Sequence, residues 1–176
     1  VMGVLNVTPD SFSDGGAFIA PEQALARARA MIAAGVDIID IGAESTRPYT
    51  GAKAVTAEEE LARLKPVLAG VVALGVPVSI DSMKAEVVAF ALDQGAAIAN
   101  DVWGLQRDAG MAPIVAARDV PVIIMHNREQ ADPAIDIMQD IAAFFERSLA
   151  IAETAGISHD RLVVDPGIRC VMTQEK

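Results

Sequence analysis

Six short apolar runs, at residues 1–5, 36–41, 76–80, 96–99, 120–125 and 161–164, most constrain this fold. Each is four to six residues long and rich in Val or Ile, or in Ala at 96–99. Runs of that length and composition predict strands buried on both faces. The segments between them carry a helical period. Pro21 is placed as a first-turn proline, Leu25, Ala28, Met31 and Ile32 share one face, and Gly35 follows as a stop. Thr56 with Glu59 three residues on predicts a capping box. Leu61, Leu64, Leu68 and Val71 continue one stripe, and Pro66 within it predicts a kink. Val87, Val88, Ala91 and Leu92 form a third stripe ending near Gly95. Met111, Ile114 and Val115 form a fourth; Ile137, Ile141, Phe144, Phe145 and Leu149 form a fifth, closed by Gly156.

Alternating strands and helices imply parallel strands joined by right-handed crossovers. The expected fold is therefore α/β, with about six of the eight units of a (β/α)8 barrel. Residues 1–168 read as one domain without a linker, and 169–176 as a separate tail.

Composition narrows the partners. Apolar residues make up 52% of the 176-residue chain and aromatic residues 4%, as packed helices on a parallel sheet require. A net charge of −10 argues against nucleic acid or an anionic membrane surface. The longest uncharged run, 66–80, is broken by Pro77, Gly70 and Gly75 and is too short to span a bilayer. A single cysteine, Cys170, excludes an internal disulfide and suits a reducing compartment. No basic segment precedes an apolar signal core, so the expected location is cytoplasmic.

The residues that close each strand carry the chemistry. Asn6 follows strand one and GAESTRP at 42–48 follows strand two. Asp81 follows strand three, Asn100-Asp101 strand four, His126-Asn127 strand five and Asp165-Pro-Gly167 strand six. Parallel strands bring these ends to one rim, the active face in barrels of this kind. Buried at such a rim, Asp81, Asn100 and Asp165 need partners. A carboxylate accepts two parallel N–H bonds from an amidine-like edge, which the 2-aminopyrimidinone ring of a pterin or guanine supplies. Thr46 and Arg47 suit a phosphate-type group, and Asn and Asp oxygens suit Mg²⁺. Each residue alone has a plainer reading. Asp81 can be a helix cap, Asn100 a loop tie, His126 a hydrogen-bonded rim residue and Glu44 a loop-orienting group. Met125 reads as core that can also touch a ligand, and Trp103 as packing beneath a loop. The six ends together point to a ligand.

Two stretches then identify a family. GVLNVTPDSFSDGG at 3–16 and GAESTRP at 42–48 closely resemble the two signatures of dihydropteroate synthase. SIDS at 79–82, ANDV at 99–102, Met125-His126 and DPG at 165–167 resemble its later strand ends in order and spacing. The resemblance implies a (β/α)8 barrel that condenses 6-hydroxymethyl-7,8-dihydropterin pyrophosphate with p-aminobenzoate in folate synthesis. It implies Asp81, Asn100, Met125 and Asp165 as the pterin set, and Asn6, Thr46 and Arg47 at the pyrophosphate. It further implies Asn6 as the Mg²⁺ ligand, Phe12 and Pro48 as the p-aminobenzoate and sulfonamide pocket, and Asp81, Asp165 and Arg47 as catalytic. Members of the family are usually homodimers. After residue 168 the stretch RCVMTQEK departs from the family pattern, and the last two strands are expected to be missing. On that reading an isolated chain has little synthase activity and poor stability. Methyltetrahydrofolate-type methyltransferases share the pterin pocket and stand as the alternative enzyme, although the loop at 3–16 is not expected in them. A non-catalytic pterin-binding remnant is the third reading.

Overall fold

The structure, a computed structural model, describes residues 1–8, 21–44, 55–130, 132 and 134–168. Among the described residues there are six strands and six α-helices, with α-helix between each pair of successive strands. In chain order they are β1 (Met2–Asn6), α1 (Pro21–Ala33), β2 (Ile38–Gly42), α2 (Ala57–Leu64), α3 (Leu68–Val72), β3 (Val78–Asp81), α4 (Ala85–Asp93), β4 (Ile98–Asp101), α5 (Met111–Arg118), β5 (Val122–Met125), α6 (Ile137–Ala155) and β6 (Leu162–Asp165). The strands form one parallel sheet in sequential order, β1-β2-β3-β4-β5-β6. That is the order of six consecutive units of a (β/α)8 barrel, so the fold class read from the sequence is the one observed. Among the described residues β1 and β6 are the two edges of the sheet.

Register decides which side chains share a face, because Cα partners in parallel strands point the same way. Asn6 pairs with Gly42, Gly42 with Asp81, Asp81 with Asn100, and Met125 with Asp165. Asp40 lies two residues before Gly42, and Asn100 pairs with Ile123, two before Met125. Asn6, Asp40, Asp81, Asn100, Met125 and Asp165 therefore occupy one face, hereafter the inner face. The other face is apolar and lies under the helices. Leu5, Ile39, Ile41, Ile80, Val122 and Ile124 are all fully buried there, with Val78 nearly so. This outer layer is the core of the molecule.

Five of the six strands run past their expected ends, four of them by one residue and β4 by two. The ladder continues through Asn6, Gly42, Asp81, Asn100-Asp101 and Asp165, so these residues lie on strands rather than in the loops after them. Backbone bonds extend further still, from Val7 N to Gly42 O, Ser82 N to Asn100 O and His126 N to Asp165 O. Polar side chains did not end these strands, because parallel pairing uses only backbone groups.

The helices follow their stripes with two departures. Leu61, Leu64, Leu68 and Val71 are buried as expected, but Pro66 does not kink one continuous helix. Two helices form, α2 ending at Leu64 and α3 starting at Leu68, because proline has no N–H for the ladder and crowds the preceding turn. In α6 the buried set is Phe144, Ser148 and Ala152. Ser148 is inside because its hydroxyl accepts from Gln106 Nε2 at 2.8 Å. Gly104 approaches the same spot with φ +57°; a Cβ there would stand 2.6 Å from the Phe144 ring. The capping box is present in full, Thr56 Oγ1 accepting from Glu59 N and Glu59 Oε2 from Thr56 N. Among the described residues no helix is long and apolar enough to cross a membrane.

Candidate functional site

The inner face at the carboxyl ends of β2, β3 and β4 gathers an acidic, largely buried group. Asp81 closes β3 beside Gly42, whose missing side chain leaves room: a Cβ at Gly42 would meet Asp81 Oδ2 at 3.1 Å. Asp81 Oδ1 is buried without a hydrogen-bond partner. Burial raises the Asp81 carboxyl well above its ordinary value, and the charges of Asp40, Glu60, Asp101 and Glu44 add to the rise. The capping reading of Asp81 fails, because the residue before α4 is Lys84 and the first N–H of that helix, Ala85 N, donates to Asp108 Oδ2 at 2.8 Å. An unpaired carboxyl held above its ordinary value at the carboxyl end of a parallel sheet is a candidate ligand position.

Asn100 stands next to Asp81 in register and donates from Nδ2 to Asp40 Oδ2 at 3.1 Å. It ties strand to strand and does not tie a loop. Asp40, missed in reading the sequence, is only 5% exposed. Its signal was an acid inside the apolar run IIDIG, where a strand buried on both faces has no ordinary use for one. Burial raises its carboxyl, while the Ser79 hydroxyl and the Asn100 amide oppose that rise.

The neighbouring strand ends divide between the faces. Met125 is 7% exposed on the inner face, as core that borders the site. Asp165 is exposed at the end of β6, and its Oδ1 accepts from Gly167 N at 2.9 Å. Asn6, partly exposed, ends β1 in register with Gly42. Asp101 turns to the outer face and accepts from Trp103 N and Leu105 N, which is a structural turn. His126 is fully buried behind β5, with Nε2 2.8 Å from Asp140 Oδ2 and its ring edge-on to Phe144. The rim-residue reading of His126 describes that arrangement. Trp103 is half-buried and stacks beneath the Arg107 guanidinium.

A second cluster braces the loop after β2. Lys84 Nζ donates to Glu44 and to the fully buried Glu60, the latter at 2.8 Å. Glu44 Oε1 also accepts from Val55 N at 3.1 Å, and Arg63 donates to Ala43 O at 2.7 Å. Glu44 and Val55, which flank residues 45–54, are thereby joined to each other. Burial opposes the Lys84 charge, but the two carboxylates outweigh it and keep the ammonium above its ordinary value.

Phe12, Thr46, Arg47, Pro48, Cys170 and the tail 169–176 lie outside the described residues. Among the described residues no group of three or more His, Cys, Asp or Glu is arranged to hold a metal ion.

A parallel β/α sheet with polar residues gathered at its carboxyl ends is the setting for the comparison with known families. The model of the pterin binding enzyme family matches residues 2–176. The chain belongs to the pterin binding enzyme family. Within it, the chain is similar to the dihydropteroate synthase of Bacillus subtilis, 46% identical over 96% of this chain and 58% of that protein. A crystal structure of dihydropteroate synthase from Clostridium difficile, determined in the presence of pteroic acid, superposes with a TM-score of 0.89 at 44% identity. It covers 95% of this chain and 63% of its own. The Xanthomonas albilineans dihydropteroate synthase with 4-aminobenzoic acid superposes at 0.87 with 43% identity, covering 95% of this chain and 60% of its own. The chain thus spans about three fifths of the length of these family members.

Proposed function

We propose that this protein binds the pterin of a dihydropteroate synthase reaction on the inner face of its sheet. The reaction joins 6-hydroxymethyl-7,8-dihydropterin pyrophosphate to p-aminobenzoate, giving dihydropteroate and pyrophosphate. The observation that carries the reading is Asp81: a buried carboxyl oxygen without a partner, in register with Asn100 and with the space over Gly42. The pteroic acid and 4-aminobenzoic acid named with the two crystal structures support the same substrate classes here.

The residues supply distinct parts of such a reaction. Asp81 and Asp165 accept N–H bonds from the pterin edge, and Asn100 offers both an acceptor and a donor. Met125 gives the flat ring an apolar floor. Breaking the carbon–oxygen bond to pyrophosphate leaves positive character on the pterin methylene, which the Asp81 and Asp165 carboxylates stabilise. The p-aminobenzoate amine attacks that carbon, and its need is orientation more than activation. The family resemblance assigns Thr46 and Arg47 to the pyrophosphate, and Phe12 and Pro48 to p-aminobenzoate and the sulfonamides that compete with it. Asn6 brings one hard oxygen to the rim, which fits a Mg²⁺ ion carried mainly by diphosphate and water and does not fit a protein-caged ion. When bound, that ion would neutralise charge on the leaving group. Residues 1–168 serve as the pterin-binding unit in this reading, a homodimer is the assembly that the resemblance implies, and the cytoplasm is the location proposed with it.

Pteroic acid binding to the full chain, measured by calorimetry, tests the proposal. Asp81→Ala and Asn100→Ala should each weaken it by about tenfold or more, the loss of a hydrogen bond to a charged or buried group. Wild-type affinity in both variants would overturn it.

A further inference from the structure

Asp40 sits in the middle of β2, on the inner face and almost fully buried, between Ile39 and Ile41, whose side chains enter the outer core. Nothing cationic reaches it among the described residues. Its Oδ2 accepts from Asn100 Nδ2 at 3.1 Å. Asp40 is on β2 and Asn100 on β4, so the bond spans β3. It passes at a level where β3 presents Ser79, a small polar residue and the register partner of Asp40, whose hydroxyl faces the same carboxyl. For stability alone a Val or Leu at this position would serve better, since a buried carboxylate without a cation costs folding free energy.

We infer that Asp40 is a positioning residue for pterin recognition, which fixes the orientation of the Asn100 amide from beneath the site. The inference rests on the pterin-site reading above. Its logic is the donor inventory of the two groups. A carboxylate only accepts, whereas an Asn side chain both donates and accepts through two ends of similar shape. An Asn at a binding rim can therefore present either end to a ligand. The bond to Asp40 commits Nδ2 to the interior and leaves Oδ1 and the second N–H for the heterocycle. The amide arrives pre-oriented, so its orientation need not be selected on binding. The charge of Asp40 also bears on Asp81, as do Glu44 from the loop after β2, Glu60 from α2 and Asp101 from β4. Asp40 thus acts on both polar groups of the site without standing in it.

Pteroic acid dissociation constants and their pH dependence, measured on the full chain, test the inference with four variants. Asp40→Ala removes the acceptor and should weaken binding about tenfold, one charge-assisted hydrogen bond. Asp40→Asn keeps a carbonyl oxygen for Asn100 Nδ2 and should stay within about threefold of wild type, each tenfold step being 1.4 kcal/mol. It also removes a negative charge beside Asp81, so the pH midpoint of binding should move to lower pH. In the double variant Asp40→Ala/Asn100→Ala, the loss should be no larger than in Asn100→Ala alone, because the two residues act as one unit. Strictly additive losses, or an Asp40→Ala variant that binds like wild type, would overturn the inference while leaving the site intact. An Asn100→Ala variant of wild-type affinity would instead overturn the pterin-site reading itself. Should Asp40→Ala not fold, Asp40→Ser has a hydroxyl too short to reach Asn100 and takes its place with the same expectations.

Discussion

The two faces of the one sheet differ sharply although they share every strand. On the outer face Leu5, Ile39, Ile41, Ile80 and Ile124 are wholly buried under α-helices, and the layer contains scarcely a polar side chain before the strand ends. On the inner face, in the same strands and one residue away, stand Asp40, Ser79, Asp81 and Asn100. One of their polar atoms, Asp81 Oδ1, is buried without a partner. Toward the sheet edges the same face opens, with Val4 and Val163 both about half exposed at 51% and 52%. One face maximises apolar burial, and the other keeps a polar group unsatisfied at the point where a ligand would complete it. A parallel sheet allows this division because side chains alternate while backbone pairing is indifferent to them.

The division can be broken from either side. Ile80→Ala opens a cavity in the outer layer and should lower the unfolding free energy by about 2–5 kcal/mol in urea titrations. Pteroic acid affinity of the folded fraction should not change. A large loss of affinity at unchanged stability would show that the faces are not separate.

Lys84→Met removes the cation shared by Glu44 and the fully buried Glu60. Two carboxylates are then left without their partner, and stability should fall by about 3 kcal/mol at neutral pH. An equal loss in Lys84→Arg, which keeps the cation, would assign Lys84 a packing role alone.

Asp81→Asn should act in the opposite sense on stability. In the fold Asp81 holds its proton more tightly than in the unfolded chain, where its value is near 3.8, because burial and four neighbouring acids disfavour the charge. It therefore lowers stability as pH rises from the unfolded value through the raised folded one, and the loss is complete above that. The variant should be more stable than wild type at neutral pH by about 1 kcal/mol or more. The difference should vanish toward pH 4, while pteroic acid binding is lost. A less stable Asp81→Asn would mean that the carboxyl is satisfied in the fold. Smallest of the four, Thr56→Ala removes one half of the capping box and should cost about 1 kcal/mol by thermal unfolding, with no effect on binding.

Much of this was legible in the sequence for physical reasons. Val- and Ile-rich runs of strand length, separated by helical stripes, leave few alternatives to a parallel β/α plan, and the glycines at 35, 95 and 156 stop helices with positive φ as their positions suggest. The polar strand ends announced a rim, and Asp81, Asn100 and Asp165 do share the inner face. Most strand ends were misplaced by one or two residues, because hydropathy marks where side chains turn polar and not where backbone pairing stops. Asn100 and Asp101 show the same limit within one dipeptide. They are adjacent and chemically close, yet one faces the site and the other braces a turn.

The sequence by itself determined the element order, the family signatures and the residues that could meet a pterin, since these depend on local pattern and residue chemistry. Only the tertiary structure decided the register that puts Asn6, Gly42, Asp81 and Asn100 in one row. It alone joined Asp40 to Asn100, sixty residues apart, and Lys84 to Glu44 and Glu60. Those links cross strands and helices, and no local period in a chain encodes which distant group will stand at hydrogen-bonding distance.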